Sequence, residues 1–173
     1  MPARPELALS VQTGSGIPAC PVSRPRLRRW VLAALQGDAR ITLRFVASRE
    51  ARTLNREHRG RDYATNVLTF TYDLPPAAAV PDVRRARQSA GAARACAEAD
   101  IVICLPVVRA EARAQRKPFD HHLAHMVIHG VLHAQGFDHE DEVEAAGMEA
   151  LEAALLKRFR IPDPYADEGN VTR

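Results

Sequence analysis

The chain has 173 residues, 46% hydrophobic and 26% charged, with a formal net charge of +3. These values exclude a disordered chain, and no run approaches the ~18 apolar residues of a membrane span. The length suits a single domain over residues 1–173, with roughly two-thirds of its unfolded surface buried.

In chain order, residues 1–5 are expected to fray. Leu7 to Val11 alternates weakly and predicts a first strand. Gly14, Gly16, Pro18 and Pro21 mark a loop. Ser23 and Pro25 open a helix that carries Leu27, Trp30, Val31 and Leu35 at helical spacing and stops at Gly37-Asp38. Ile41, Leu43 and Phe45 alternate with Thr42 and Arg44, as in a half-buried strand. Ser48 is expected to cap a helix over 49–58, with Glu50 in its first turn. A strand is expected over 67–72. Residues 73–98 change character: Pro75, Pro76 and Pro81 accompany an alanine- and arginine-rich stretch without an apolar stripe, which reads as a long loop. Ile101 to Leu105 is a continuous apolar run suited to a central strand, and Pro106 ends it. A helix follows to about Arg116, and Lys117-Pro118 breaks it. Asp120 is expected to cap a helix over 121–135 that Gly136 stops. A last amphipathic helix over 142–158 turns Val143, Ala146, Met148, Leu151, Leu155 and Phe159 inward. Residues 165–173 are expected to fray. Helices and strands mix without strict βαβ alternation, so the fold class is α+β.

The start of the chain lacks the basic-then-apolar layout of a signal peptide, which predicts a cytoplasmic protein. Cys20, Cys96 and Cys104 form no CxxC pair and read as reduced thiols. The basic balance permits a nucleic-acid partner without requiring one. Apart from Lys117 and Lys157 the basic residues are all arginine. A codon bias toward Arg and Ala explains that; it does not explain why six of the seven histidines lie between His121 and His139.

The run HGVLHAQGFDH occupies residues 129–139. His129 and His133 are four apart on a predicted helix, a rotation of ~400°, so their imidazoles stand one above the other. That spacing lets two nitrogens share one ion. Gly136 can adopt the positive φ of a sharp reversal, which returns His139 toward the same ion. Three neutral nitrogen ligands suit zinc, one per chain, and leave the fourth tetrahedral position open for water, as in catalytic sites. Asp138, Glu140 and Asp141 offer a carboxylate for the outer N–H of a ligand ring; equally, they are an acidic loop opening the next helix. His122 and His125 share the helix and read as packing or supporting groups. Gly130 stands where the zinc-protease motif HExxH has its general base, which argues against peptide hydrolysis. Met148 reads as core, not as a Met-turn.

These residues resemble the YbeY family of bacterial endoribonucleases. HGVLHAQGFDH, preceded by Leu123-Ala124-His125, is similar to that family's signature. Leu54-Asn55 through Arg59-Gly60, then Thr65 to Phe70, are similar to its block of asparagine, arginine and TDVLSF, with Asn66 at the aspartate. Asp100 to Ile103 is similar to its GDIVI strand. The resemblance implies a small mixed β-sheet packed against helices, with the metal site on a central helix and the following loop. It implies zinc on His129, His133 and His139, with His129 and Arg59 as catalytic residues. It implies cleavage of single-stranded RNA, maturation of the 3′ end of 16S rRNA and ribosome quality control, with rRNA and the small ribosomal subunit as partners and neither DNA nor membrane. An arginine at 59 can grip a phosphate bidentately and offset charge in the transition state. Two rivals stand beside this reading. One is a zinc hydrolase of another substrate class. The other is a non-catalytic, zinc-containing RNA-binding or ribosome-assembly factor, which requires a fourth protein ligand such as His125 or Asp138.

Overall fold

The computed structural model describes residues 4–72 and 97–166. In chain order the elements are β1 (Leu7–Thr13), α1 (Arg24–Ala34), β2 (Ala39–Val46), α2 (Ser48–Arg59), β3 (Val67–Tyr72), β4 (Ala97–Cys104), α3 (Leu105–Ala114), α4 (Phe119–Ala134) and α5 (Glu142–Lys157). The four strands form one mixed sheet in the order β1-β2-β4-β3. β1 and β4 run parallel to β2, and β3 runs antiparallel to β4. The α+β expectation holds.

Strand alternation splits the core between the two sheet faces. Ile41, Leu43 and Phe45 of β2, with Ala99, Ile101 and Ile103 of β4, enter the larger core together with Leu123, Val127 and Val131 of α4. Val46, Val102 and Cys104 point the other way, with Ala51 and Leu54 of α2 against them. α4 therefore lies across the sheet, on β3 and β4, with α1, α3 and α5 packed around it. Eleven of its sixteen residues are buried, far more than one stripe.

Gly130 is the point of closest approach between α4 and the sheet. A Cβ there would stand 2.6 Å from Ile101 Cγ2 and 3.4 Å from Thr69 Oγ1. The position faces β4, so no glutamate fits it, and any general base has to come from elsewhere in the fold. Gly130→Ala is expected to cost about 1–3 kcal/mol through overpacking. Urea denaturation measures this, and unchanged stability would show that the helix can move off the sheet freely.

Several boundaries differ from the sequence reading. β4 begins at Ala97, inside the stretch read as a loop, because its pairing with β2 runs from Ala39↔Ala97 to Val46↔Cys104; residues 73–96 of that loop lie outside the described residues. Leu105 starts α3 and does not end the strand. Ser48 is the first residue of α2, and Ala47 is the N-cap. Asp120 does not cap α4, which starts at Phe119 after Pro118; its carboxylate instead meets Arg26 of α1 at 2.6 Å. In α5, Val143 is 82% exposed and Ala146 is also exposed. The buried residues of that helix are Met148, Glu152, Leu155 and Leu156. Tyr165, at the start of the stretch expected to fray, is held in place by hydrogen bonds to α4 and α5. Residues 1–3 and 167–173 lie outside the described residues. Among the described residues, no helix is long and apolar enough to cross a membrane.

Candidate metal centre

α4 carries His129 and His133 one turn apart, and their Nε2 atoms face each other at 3.0 Å. The helix stops because Gly136 takes φ +91°, while the Gly136 and Phe137 N–H groups bond back to His133 and Leu132 carbonyls. Gln135 fixes this end in space: its side chain donates to the Ala34 carbonyl and accepts from the Gln36 N–H, both at 2.8 Å. The reversed chain brings the His139 ring to 5.1 Å from His133 and 5.9 Å from His129, centroid to centroid. One nitrogen from each of the three rings lies within 4.8 Å of the others.

The donor set suits a metal ion. Two nitrogens ~2.05 Å from a tetrahedral ion stand about 3.3 Å apart, so the His129–His133 pair needs to open by only a few tenths of an ångström. The tautomer is also set. His129 Nδ1 lies 2.5 Å from Glu152 Oε1, so Nδ1 carries the proton and Nε2 presents its lone pair toward His133. Burial, with His129 and His139 nearby, pushes His133 down to about 4, and its ring also bonds to the Phe137 backbone. His133 is thus neutral and ligand-ready at neutral pH.

Glu152 is the residue the sequence reading missed. It is 1% exposed, and its second oxygen meets His125 Nε2 at 3.0 Å and the Tyr165 hydroxyl. Burial pushes its carboxyl up, but the hydrogen bonds with His125 and His129 outweigh that and hold it at about 2. A signal was present: Glu152 occupies i+4 from Met148 on the stripe that continues to Leu155 and Leu156, where a charged residue needs a partner. The acidic loop supplies no such partner. Asp138 accepts from its neighbour, the His139 N–H, Asp141 caps α5 by accepting from the Glu144 N–H, and Glu140 is exposed. His125 faces Glu152, which makes it a supporting group; it also belongs to a second cluster, with His129 and Glu152, whose ligand atoms stand close enough to hold an ion. His122 bonds Glu111 at 2.7 Å. Met148 is buried in the core. Arg59 sits exposed in the last turn of α2. It is not among the residues lining the pocket of His129 and His139.

A model of the family described as Endoribonuclease YbeY matches residues 24–160. The chain belongs to the YbeY family. It is 51% identical to Endoribonuclease YbeY of Thiobacillus denitrificans over 93% of this chain and 97% of that one. It is 47% identical to Endoribonuclease YbeY of Herminiimonas arsenicoxydans over 94% and 97%. The solution structure of TM1509 from Thermotoga maritima aligns with 95% of this chain and 99% of its own at 23% identity and a TM-score of 0.48.

In this YbeY family member the His133 environment makes a prediction about pH. The unfolded chain protonates an ordinary histidine near ~6.5, whereas folded His133 stays neutral down to about 4. Between those values the unfolded state binds more protons. The metal-free protein is therefore expected to lose stability as pH falls from 6.5 to 4, by at most about 3 kcal/mol from this group. Glu152 adds no loss in that window, because its stabilisation fades only as pH falls from its ordinary value, 4.5, through about 2. Denaturation of metal-free wild type and His133→Gln at pH 7 and 4.5 checks this. An equal pH slope in both would assign the loss to other groups.

Proposed function

We propose that this protein is a zinc-dependent endoribonuclease that cleaves single-stranded RNA in the cytoplasm. On this reading it acts in maturation of the 3′ end of 16S rRNA and in ribosome quality control, on the small ribosomal subunit. The observation that carries the reading is the convergence of His129, His133 and His139, with the His129 tautomer set by Glu152, in a chain whose relatives are named Endoribonuclease YbeY. No fourth protein ligand joins these three among the described residues, since His125 faces Glu152 and Asp138 bonds its own chain neighbour. This favours a catalytic over a structural ion.

A zinc ion at this site supplies a water of lowered pKa and a Lewis acid for a phosphoryl oxygen. The chain's own residues do the rest. Glu152 holds the His129 ring in one orientation, and Tyr165 and His125 hold Glu152. The Arg59 side chain makes no hydrogen bond or ion pair among the described residues, so its guanidinium is available to a phosphate of the RNA. Metal analysis beside cleavage assays on single-stranded RNA, duplex RNA and casein tests the reading. Metal-loaded protein that leaves single-stranded RNA intact would overturn it.

Arg59→Lys separates the arginine from the metal. Lysine keeps the charge but not the planar fork that matches two phosphate oxygens. Zinc content and melting temperature are expected to stay, while single-turnover cleavage falls ten- to about a hundredfold, turnover more than binding. Full cleavage by this variant would show that charge alone suffices or that Arg59 lies outside the site.

A further inference from the structure

A second cavity of about 390 Å³ adjoins the metal pocket, between α3, α4 and the Pro164-Tyr165 turn. Tyr165 is a wall of both cavities. His125 lines the second one while sharing the Glu152 carboxylate with His129. A ligand there lies one layer of side chains from the convergent histidines.

The polar groups of this cavity are arranged around one carboxylate. Glu111 meets His122 Nε2 at 2.7 Å and accepts from the Asn66 amide, which straddles both its oxygens at 3.2 and 3.3 Å. Asn66 is itself fixed, because its Oδ1 accepts from the Val67 N–H at 2.7 Å. An amide fits this position and a carboxylate would repel Glu111. His122 is 4% exposed, so it forms a rigid back wall. The Asn66 contacts are longer than the ~2.7–2.9 Å of a good charge-assisted bond, and the Glu111 side chain is 32% exposed. Its oxygens thus keep lone pairs on the open side. Lys117 lines the same cavity and donates from Nζ to the Pro164 carbonyl at 3.2 Å, which offsets the repulsion between Glu111 and a polyanion.

An ionised carboxylate accepts and does not donate. Among unpaired bases, guanine is the one whose Watson–Crick edge presents two adjacent donors, N1–H and the 2-amino group, spaced to meet two carboxylate oxygens. Uracil presents one donor between two carbonyls, and adenine and cytosine one amino group beside a ring acceptor. In a duplex that edge is occupied, and a base reaches a recessed pocket only from a single strand or by flipping out. The geometry points to a base-recognition subsite: the Asn66–Glu111–His122 cavity takes an unpaired guanine next to the bond that is cut, with Glu111 accepting from its N1–H and 2-amino groups. This rests on the ribonuclease reading and adds the origin of its single-strand and base preference.

Glu111→Gln keeps the shape and still accepts from His122 and Asn66, but replaces one acceptor oxygen with a donor. The experiment compares wild type and Glu111→Gln, with metal content measured, on short single-stranded RNAs carrying one guanine, or inosine or adenine in its place. Wild type is expected to bind the guanine strand about tenfold tighter than either substitute and to cut beside the guanine. Glu111→Gln is expected to lose that difference with metal content unchanged. Equal binding and one cleavage pattern for all strands, or a guanine preference retained by Glu111→Gln, overturns the subsite while cleavage itself upholds the ribonuclease reading. Selective binding of the guanine strand without any cleavage upholds the subsite and overturns the ribonuclease reading. Neither binding nor cleavage overturns both.

Discussion

His129→Ala is expected to lose bound metal and RNA cleavage together, with cleavage falling on the order of a thousandfold or more. His129 stands between the other groups of the site, with Nε2 toward His133 and Nδ1 on Glu152. Its removal leaves two rings where three converge, and it takes from the buried Glu152 its 2.5 Å hydrogen bond. Elemental analysis beside single-turnover cleavage measures both losses. His58→Ala is the control: that ring packs edge-on against Phe70, away from the site, with centroids 4.8 Å apart, and is expected to keep its metal. Full metal content in His129→Ala would end the assignment of this residue as a ligand.

Glu152→Ala is expected to fail in two ways. Metal affinity is expected to fall by about a hundredfold, because the His129 ring loses the acceptor that sets its tautomer and basicity. Stability is expected to fall by about 3 kcal/mol, because His125, His129 and Tyr165 lose a buried charged partner. Glu152→Gln separates the two effects. The amide fills the same space and accepts from one ring, so the fold is expected to survive while metal affinity falls about tenfold. Chelator competition measures the affinity, and urea denaturation the stability. Wild-type metal affinity in both variants would reduce Glu152 to a packing residue.

Where neighbours in sequence are neighbours in space, the chain could be read directly. β2 shows its buried face in Ile41, Leu43 and Phe45, since strand side chains alternate whatever the strand packs against. The convergence of the 129–139 run is legible for the same reason, because one helical turn and one glycine reversal are local geometry. The last helix is less legible. Its apolar spacing places Val143 and Ala146 on the inner face, yet both are exposed. The stripe that packs is Met148, Glu152, Leu155 and Leu156. An apolar pattern identifies the buried face of a helix when its partner surface is apolar. α5 packs partly on histidines, so the residue its position demands there is a carboxylate.

The α+β class, the central strands, the three convergent histidines and the reversal that brings the third one in are all legible in the amino-acid sequence. Each of these follows from backbone periodicity within about a dozen residues. What surrounds that motif emerges only when the chain packs. Glu152 reaches His129 from 23 residues away and Tyr165 reaches His125 from 40, while Asn66 meets Glu111 across 45. Gly130 is required by its contact with Ile101 on β4, not by the chemistry of its neighbour His129. Such contacts depend on how sheet and helices pack, and no local pattern carries the distance between residues that meet only after the chain has folded.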